Sequence, residues 1–360
     1  MSGTLAGRKS DHLTLCATGD VGFRSRTTLL EAVKLVHDAL PDLSVDEIDP
    51  GVTVLGKRLA APIVIAAMTG GTEEAGRVNR ELASIAEERG YGFGLGSQRA
   101  MHVKAGVAGT YAVREAAPTT LILGNVGIVQ ATAMNTEAIV DLVRGVGADA
   151  LCVHLNPAME LVQPHGDRDF RGGQETLARL RRELPFPLVV KETGCGLSPA
   201  LGRRLRAIGI ENVDVSGAGG TSWVGVETKR AEEQGDAKKR ALGDAFWDWG
   251  IPTAASVGLL APLGFSTLVA TGGIQSGLDV ARALALGAHA AGIARPVLRA
   301  FYDKGREGAL AFLDGVEAEL RAAMLLTGSR DVASLRRAPK IVTGELHTWL
   351  TDLSVDRAGA

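Results

Sequence analysis

The segment TLVATGGIQSGLDVARALALGAHAAGI, Thr267 to Ile293, holds one complete structural unit. Thr267 to Ala270 is a short apolar run, Gly277 to Leu286 carries apolar residues at helical spacing, and Ala290 to Ile293 is a second apolar run. Strand, helix and strand with short connections is the repeating unit of a parallel sheet. The Thr271-Gly272-Gly273-Ile274 turn between the first strand and the helix places glycines where backbone N–H groups can approach an anion closely.

Working outward, six more runs of the same kind precede this unit: Pro62 to Ala67, Tyr91 to Gly96, Thr120 to Gly124, Ala148 to Val153, Pro187 to Val190 and Asn212 to Val215. Amphipathic stretches lie between them at Thr72 to Arg89, Thr136 to Val146, Gln174 to Glu183 and Ser198 to Ile208. Eight alternations predict an α/β protein built as a (β/α)8 TIM barrel. The alternative is an open doubly wound sheet, which usually carries GxGxxG in its first turn; none follows the first run here.

The chain reads as a single barrel domain spanning 1–360, with three additions. Residues 1–60 form an N-terminal extension that must cover the barrel bottom or reach round to its top. Residues 222–262, including the charged stretch Lys229 to Arg240, interrupt the sixth and seventh runs and read as a lid-like insertion after strand 6. Residues 296–360 form a C-terminal tail, helical from Pro296 to Val342, with Leu310, Leu313, Val316 and Leu320 at core-like spacing.

A net charge of −2 over 360 residues gives no basic footprint for nucleic acid, so the expected partners are small molecules. Three separated cysteines, Cys16, Cys152 and Cys195, suggest neither a disulfide framework nor a zinc site and fit a reducing cytoplasm. The polar N-terminus lacks a signal-peptide core, and no apolar run reaches the roughly 18 to 20 residues that span a bilayer. A cytoplasmic protein without membrane contact is expected.

In a barrel the loops after all the strands open on one mouth, so residues far apart in sequence converge there. The run ending at Val153 is followed by His154, Asn156 and Glu160, three polar groups at spacings of two and four, with Glu160 free to hold a divalent cation. Lys191 ends a buried run, a place lysine seldom takes without an anionic or electron-rich partner. Arg99 beside Ser97 and Gln98, and the pair Arg8-Lys9, are candidates to clamp a polyanion. Trp223 at the mouth could shield an apolar chain, whereas His12, His37, His102, His165, His289 and His347 read as surface or loop residues.

The ordered segments AMTGG (Ala67 to Gly71), GSQR (Gly96 to Arg99), LGNVG (Leu123 to Gly127), HLNPAME (His154 to Glu160), QPHGDRDF (Gln163 to Phe170), VVKETGCG (Val189 to Gly196), VSGAGGTSWVGVE (Val215 to Glu227) and WGIPTAAS (Trp249 to Ser256) resemble the type 2 isopentenyl-diphosphate isomerase family. The resemblance runs from Arg8 to about Arg295. It implies FMN held by Ala67, Met68, Thr69, Ser97, Asn125, Lys191, Ser216, Thr221, Gly272, Gly273 and Ala294, with Ile274 in the same phosphate turn. Arg8, Lys9, Arg99, His154 and Asn156 would hold the substrate diphosphate, with Ser97 and Gln98 beside them. Glu160 would bind Mg²⁺, and NADPH would reduce the flavin. Lys191 near the N1 side of a flavin would stabilise the negative charge of the reduced ring.

The implied reaction converts isopentenyl to dimethylallyl diphosphate with reduced flavin as proton carrier. The implied assembly is a homo-oligomer, a tetramer or octamer. One position departs from the pattern: Met159 stands where the family usually has a Gln immediately before the metal-binding Glu. Methionine donates no hydrogen bond. This leaves room for a divergent FMN-dependent enzyme acting on another prenyl-like or phosphorylated substrate, or for a catalytically impaired flavin-binding homologue. The 2-hydroxy-acid oxidoreductases share the barrel and strand-end lysine but resemble one another in a His-Gly-Gly-Arg segment after the sixth strand; here that segment is Gly217 to Thr221, without His or Arg.

Overall fold

A computed structural model describes residues 5–103 and 106–354, leaving aside the side chains of Leu5, Ala6, Arg8 and Val103. Eight parallel strands close into a barrel: β1 (Ile63–Ile65), β2 (Gly92–Gly94), β3 (Ile122–Gly127), β4 (Ala150–Leu155), β5 (Leu188–Glu192), β6 (Asn212–Asp214), β7 (Thr267–Thr271) and β8 (Ala290–Ile293). Each strand pairs with its neighbours in chain order, and β8 closes onto β1. β1 and β7 are buried at every residue, as strands covered by helices on one side and a filled barrel on the other must be.

The helices between strands begin and stop where local chemistry says they should. The Thr72 hydroxyl accepts from Ala75 N at 3.2 Å to cap helix Glu73–Arg89, which ends at Gly90 in the left-handed region. Ser198 caps Pro199–Ala207 and Ser276 caps Gly277–Ala285 in the same way.

The three additions divide between the two ends of the barrel. Helix Leu5–Thr18 crosses the mouth and packs on helices Trp223–Glu233 and Arg295–Leu325. Farther along, the antiparallel hairpin Val52–Val54 with Lys57–Leu59 buries Val54 and Leu59 against Val64, Leu121 and Ala290 at the opposite end. The extension therefore does both of the jobs between which the sequence left a choice.

Residues 222–262 also split. Helices Trp223–Glu233 and Ala237–Ala245 lie beside the mouth, whereas Thr253–Leu260 is almost wholly buried and packs against β7 as the barrel's own crossover helix. The tail is not helical throughout to Val342: Lys340–Val342 is a strand paired antiparallel with Val33–Leu35. Two distant short segments satisfy each other's backbone groups there, a pairing that local periodicity cannot reveal.

Candidate active site

A cavity of about 490 Å³ opens at the C-terminal ends of the strands, within the usual size range for a cofactor or small-molecule site. Its floor and walls come from every strand end. Ala67, Met68 and Thr69 follow β1, Ser97 and Arg99 follow β2, and Asn125 lies on β3. His154 lies on β4, with Asn156, Met159 and Glu160 just beyond, and Lys191 is on β5. Ser216 and Thr221 follow β6, Gly272, Gly273 and Ile274 follow β7, and Ala294 follows β8. Lys9 enters from the N-terminal helix. The side chain of Arg8 lies outside the described residues.

Gln98 is the exception among the residues expected to touch substrate. It is 1% exposed and turned into the wall, where its amide donates to Leu142 O at 2.8 Å and accepts from Asn125 N at 2.9 Å. With both ends of the amide committed, it braces β2 against β3 rather than facing the cavity.

The loops after β6 and β7 meet backbone to backbone. A Cβ on Gly220 would stand 2.4 Å from Gly273 N, and Gly272 has φ 106°, so side chains are excluded by contact and by conformation. Next to these loops the Thr271 hydroxyl is buried without a partner. A glycine cradle and an unsatisfied donor at this end of a barrel fit a phosphate-bearing cofactor.

Glu160 is buried and held on both oxygens. Asn156 Nδ2 donates to Oε1 at 3.0 Å, while Gln163 Nε2 and Asp167 N donate to Oε2 at 3.3 and 2.8 Å. A carboxylate has about four lone-pair sites, two on each oxygen, so with Oε2 taken twice the one left to accept a cation is on Oε1. No cluster of three acidic, His or Cys ligands occurs among the described residues. A divalent ion at Glu160 would draw most of its shell from ligand oxygens and water, as Mg²⁺ commonly does.

Lys191 Nζ donates to Glu192 O at 2.5 Å and lies 3.6 Å from Asp214 Oδ2, an ion pair inside the barrel mouth. The neighbouring Glu192 gathers three backbone donors, Thr193, Gly194 and Cys195, on one oxygen. Burial outweighs these and pushes its carboxyl up to about 7. His154 is driven the other way, to about 3, by burial and then by the Lys191 and Lys9 charges.

One part of the mouth escaped the sequence reading. His12, expected at the surface, lines the cavity with Nε2 2.7 Å from Glu227 Oε1 and its ring edge-on to Trp223 at 5.3 Å. Glu227 is fully buried and also takes Arg230 at 2.7 Å, and Arg230 reaches Asp11 at 3.2 Å. The WVGVE segment carried the signal of Glu227, but nothing local ties it to a histidine 215 residues earlier.

The FMN-dependent dehydrogenase family matches residues 154–342. A Methanothermobacter thermautotrophicus protein named isopentenyl-diphosphate delta-isomerase is 41% identical, covering 96% of both chains. Proteins of the same name from Methanosarcina mazei and Nostoc sp. are 42% and 43% identical, covering 97% and 92% of this chain and 95% and 94% of their own. A solved mandelate oxidase, bound to 3,3-difluoro-2-hydroxy-3-phenylpropionic acid, superposes with a TM-score of 0.64 at 19% identity, over 93% of this chain and 95% of its own. At that identity the likeness is one of fold.

Proposed function

The chain belongs to the FMN-dependent isopentenyl-diphosphate delta-isomerase family, and from that premise we propose that it isomerises isopentenyl diphosphate to dimethylallyl diphosphate with reduced FMN and a Mg²⁺ ion at Glu160. NADPH is the proposed reductant. The reaction removes a proton from one carbon of the alkene and delivers one to another, with no net redox change. Reduced FMN supplies the proton-transfer chemistry when bound.

The protein's own residues bind and orient. Lys9 and Arg99 bring positive charge to the diphosphate, with His154 and Asn156 beside them. Glu160, fixed by three donors, anchors the metal that neutralises the same group. The glycine loops after β6 and β7 receive the cofactor phosphate, and Lys191 sets a cation beside the ring. Trp223 covers the alkene from water.

What supports the reading is one observation: the anion holders, the carboxylate and the glycine cradle all line a single cavity at the strand ends. The test is an anaerobic assay of the FMN-loaded protein with NADPH and Mg²⁺. Conversion of the five-carbon diphosphate, abolished by chelation, is the expected result. A yellow protein that neither converts this substrate nor exchanges solvent deuterium into it would overturn the reading.

A second reading rests on Met159. Its sulfur lies 3.9 Å from Asn156 Nδ2 at the cavity wall, so the position offers an apolar surface where the family pattern has an amide. A related enzyme on another prenyl-like or phosphorylated substrate would suit that wall, as would an impaired flavin-binding homologue. A tetrameric or octameric assembly and a cytoplasmic location complete the proposal; no described helix is long and apolar enough to cross a membrane. Gel filtration tests the assembly.

A further inference from the structure

Asn125 and His154 are bonded at the cavity floor, His154 Nδ1 to Asn125 Oδ1 at 2.7 Å. The direction of this bond is fixed from behind. Asn125 Nδ2 donates to Leu95 O at 3.1 Å, so turning the amide over would set Oδ1 against a carbonyl. The backbone of Asn125 is held as well, its N–H donating to Gln98 Oε1 at 2.9 Å and its carbonyl accepting from Gln98 N at 2.8 Å. Oδ1 is therefore an acceptor, Nδ1 carries the hydrogen, and Nε2 of the neutral ring is a bare lone pair.

That lone pair is the wrong partner for an anion. His154 sits in register between Gly127 on β3 and Lys191 on β5. A Cβ on Gly127 would stand 3.0 Å from Nε2 and 2.2 Å from Gln130 Oε1, so both groups crowd the same glycine. The charges facing the ring are Lys191 from β5 and Lys9 from the N-terminal helix, both of which keep it neutral. Asp167 stands behind Gln130, whose amide it holds at 2.8 Å, and pairs with Arg99 at 3.8 Å. No carboxylate bonds the ring directly among the described residues.

We propose that Asn125 is a positioning residue that locks His154 as the Nδ1–H tautomer, so that a diphosphate can be gripped at Nε2 only by bringing a proton into the site. This rests on the reading that His154 holds the diphosphate. The free ring enters neutral, the ligand's negative charge stabilises the imidazolium, and the second N–H then donates to a phosphate oxygen. Substrate binding thus weakens as pH rises, whereas a neutral Nε2–H ring would bind without drawing a proton.

The probe is inorganic pyrophosphate with Mg²⁺, titrated into the FMN-loaded enzyme by calorimetry at about pH 7 in buffers of different ionisation enthalpy. The wild type should take up about one proton more per pyrophosphate than His154→Gln, which cancels the ligand's own proton balance. Asn125→Ala, which frees the tautomer, should lower that uptake by at least about half while still binding pyrophosphate. Ring-nitrogen NMR of histidine-labelled protein should show Nδ1–H alone in the free enzyme and both nitrogens protonated in the complex. Pyrophosphate bound with equal proton uptake in wild type and His154→Gln, or an Nε2–H ring in the free enzyme, overturns the proposal alone. Failure of pyrophosphate to bind overturns the diphosphate reading along with it.

Discussion

At the scale of single residues, Met159 and Glu160 are adjacent but make opposite contributions to the cavity. Restoring an amide by Met159→Gln puts a hydrogen-bonding group back at the wall beside Asn156. One well-placed donor in a site sheltered from water is worth about 2 to 4 kcal/mol of transition-state stabilisation, so the variant should turn over roughly thirtyfold to eight-hundredfold faster in the anaerobic assay. An unchanged or lower kcat would mean that the methionine suits the alkene this enzyme handles. Glu160→Gln keeps the shape but loses the charge. Its Mg²⁺ requirement for half-maximal rate should rise at least about tenfold, and a titration superimposable on the wild type would place the metal elsewhere. Glu160 was legible in the sequence because it follows a strand end at short spacing, whereas Met159 stood out only against the family pattern that has Gln there. Gln98 was not legible: its neighbours Ser97 and Arg99 face the cavity, and only the three-dimensional amide contacts show that it faces the wall.

Among the elements, the joint between helices Leu5–Thr18 and Trp223–Glu233 is built on a buried ion pair, Glu227 with Arg230. Arg230 is 4% exposed and Glu227 fully buried, with His12 and Asp11 completing the group. Although burial opposes it, contact with His12 and Arg230 holds the Glu227 carboxyl below its ordinary range. Glu227→Ala would leave the Arg230 guanidinium buried with only Asp11 as partner. Removing one member of such a pair costs about 3 to 5 kcal/mol, measurable as a lower urea midpoint. A loss below about 1 kcal/mol would show that the helix carries no such load. Neither helix announces this joint in sequence. The N-terminal one takes its place by packing across the mouth, and Thr253–Leu260 is covered on nearly all sides, so it lacks the polar stripe that separates a barrel helix from an insertion. The strands were easier, because a buried parallel strand is a short apolar run wherever it occurs.

For the whole molecule, closure of the barrel made most of the cavity legible: once eight runs are placed in a ring, every residue just after a run shares one mouth. The same burial that assembles the site also sets how the fold answers to pH. His154 and His289, pushed by burial to about 3 and about 4, stay neutral in the fold. The unfolded chain protonates them from about pH 6.5 downward, so their share of stability is lost as the medium acidifies below that point. Glu192 works against them. Its carboxyl is raised to about 7 from 4.5, so its contribution is complete below pH 4.5 and is lost as pH climbs towards 7. Between these limits two histidines oppose one glutamate, leaving a net loss of roughly one proton's worth of stability per pH unit on acidification. Below that window Glu87, lowered to about 2 by its bonds to Thr119 and Thr120 against the cost of burial, adds to the loss. The melting temperature of the FMN-saturated protein should therefore fall from about pH 7 to pH 5, and Glu192→Gln, which removes the opposing group, should make that fall steeper. A melting temperature that rises towards pH 5 would mean that the two histidines take up protons in the fold, and a shallower slope in the variant would mean that Glu192 does not hold one there.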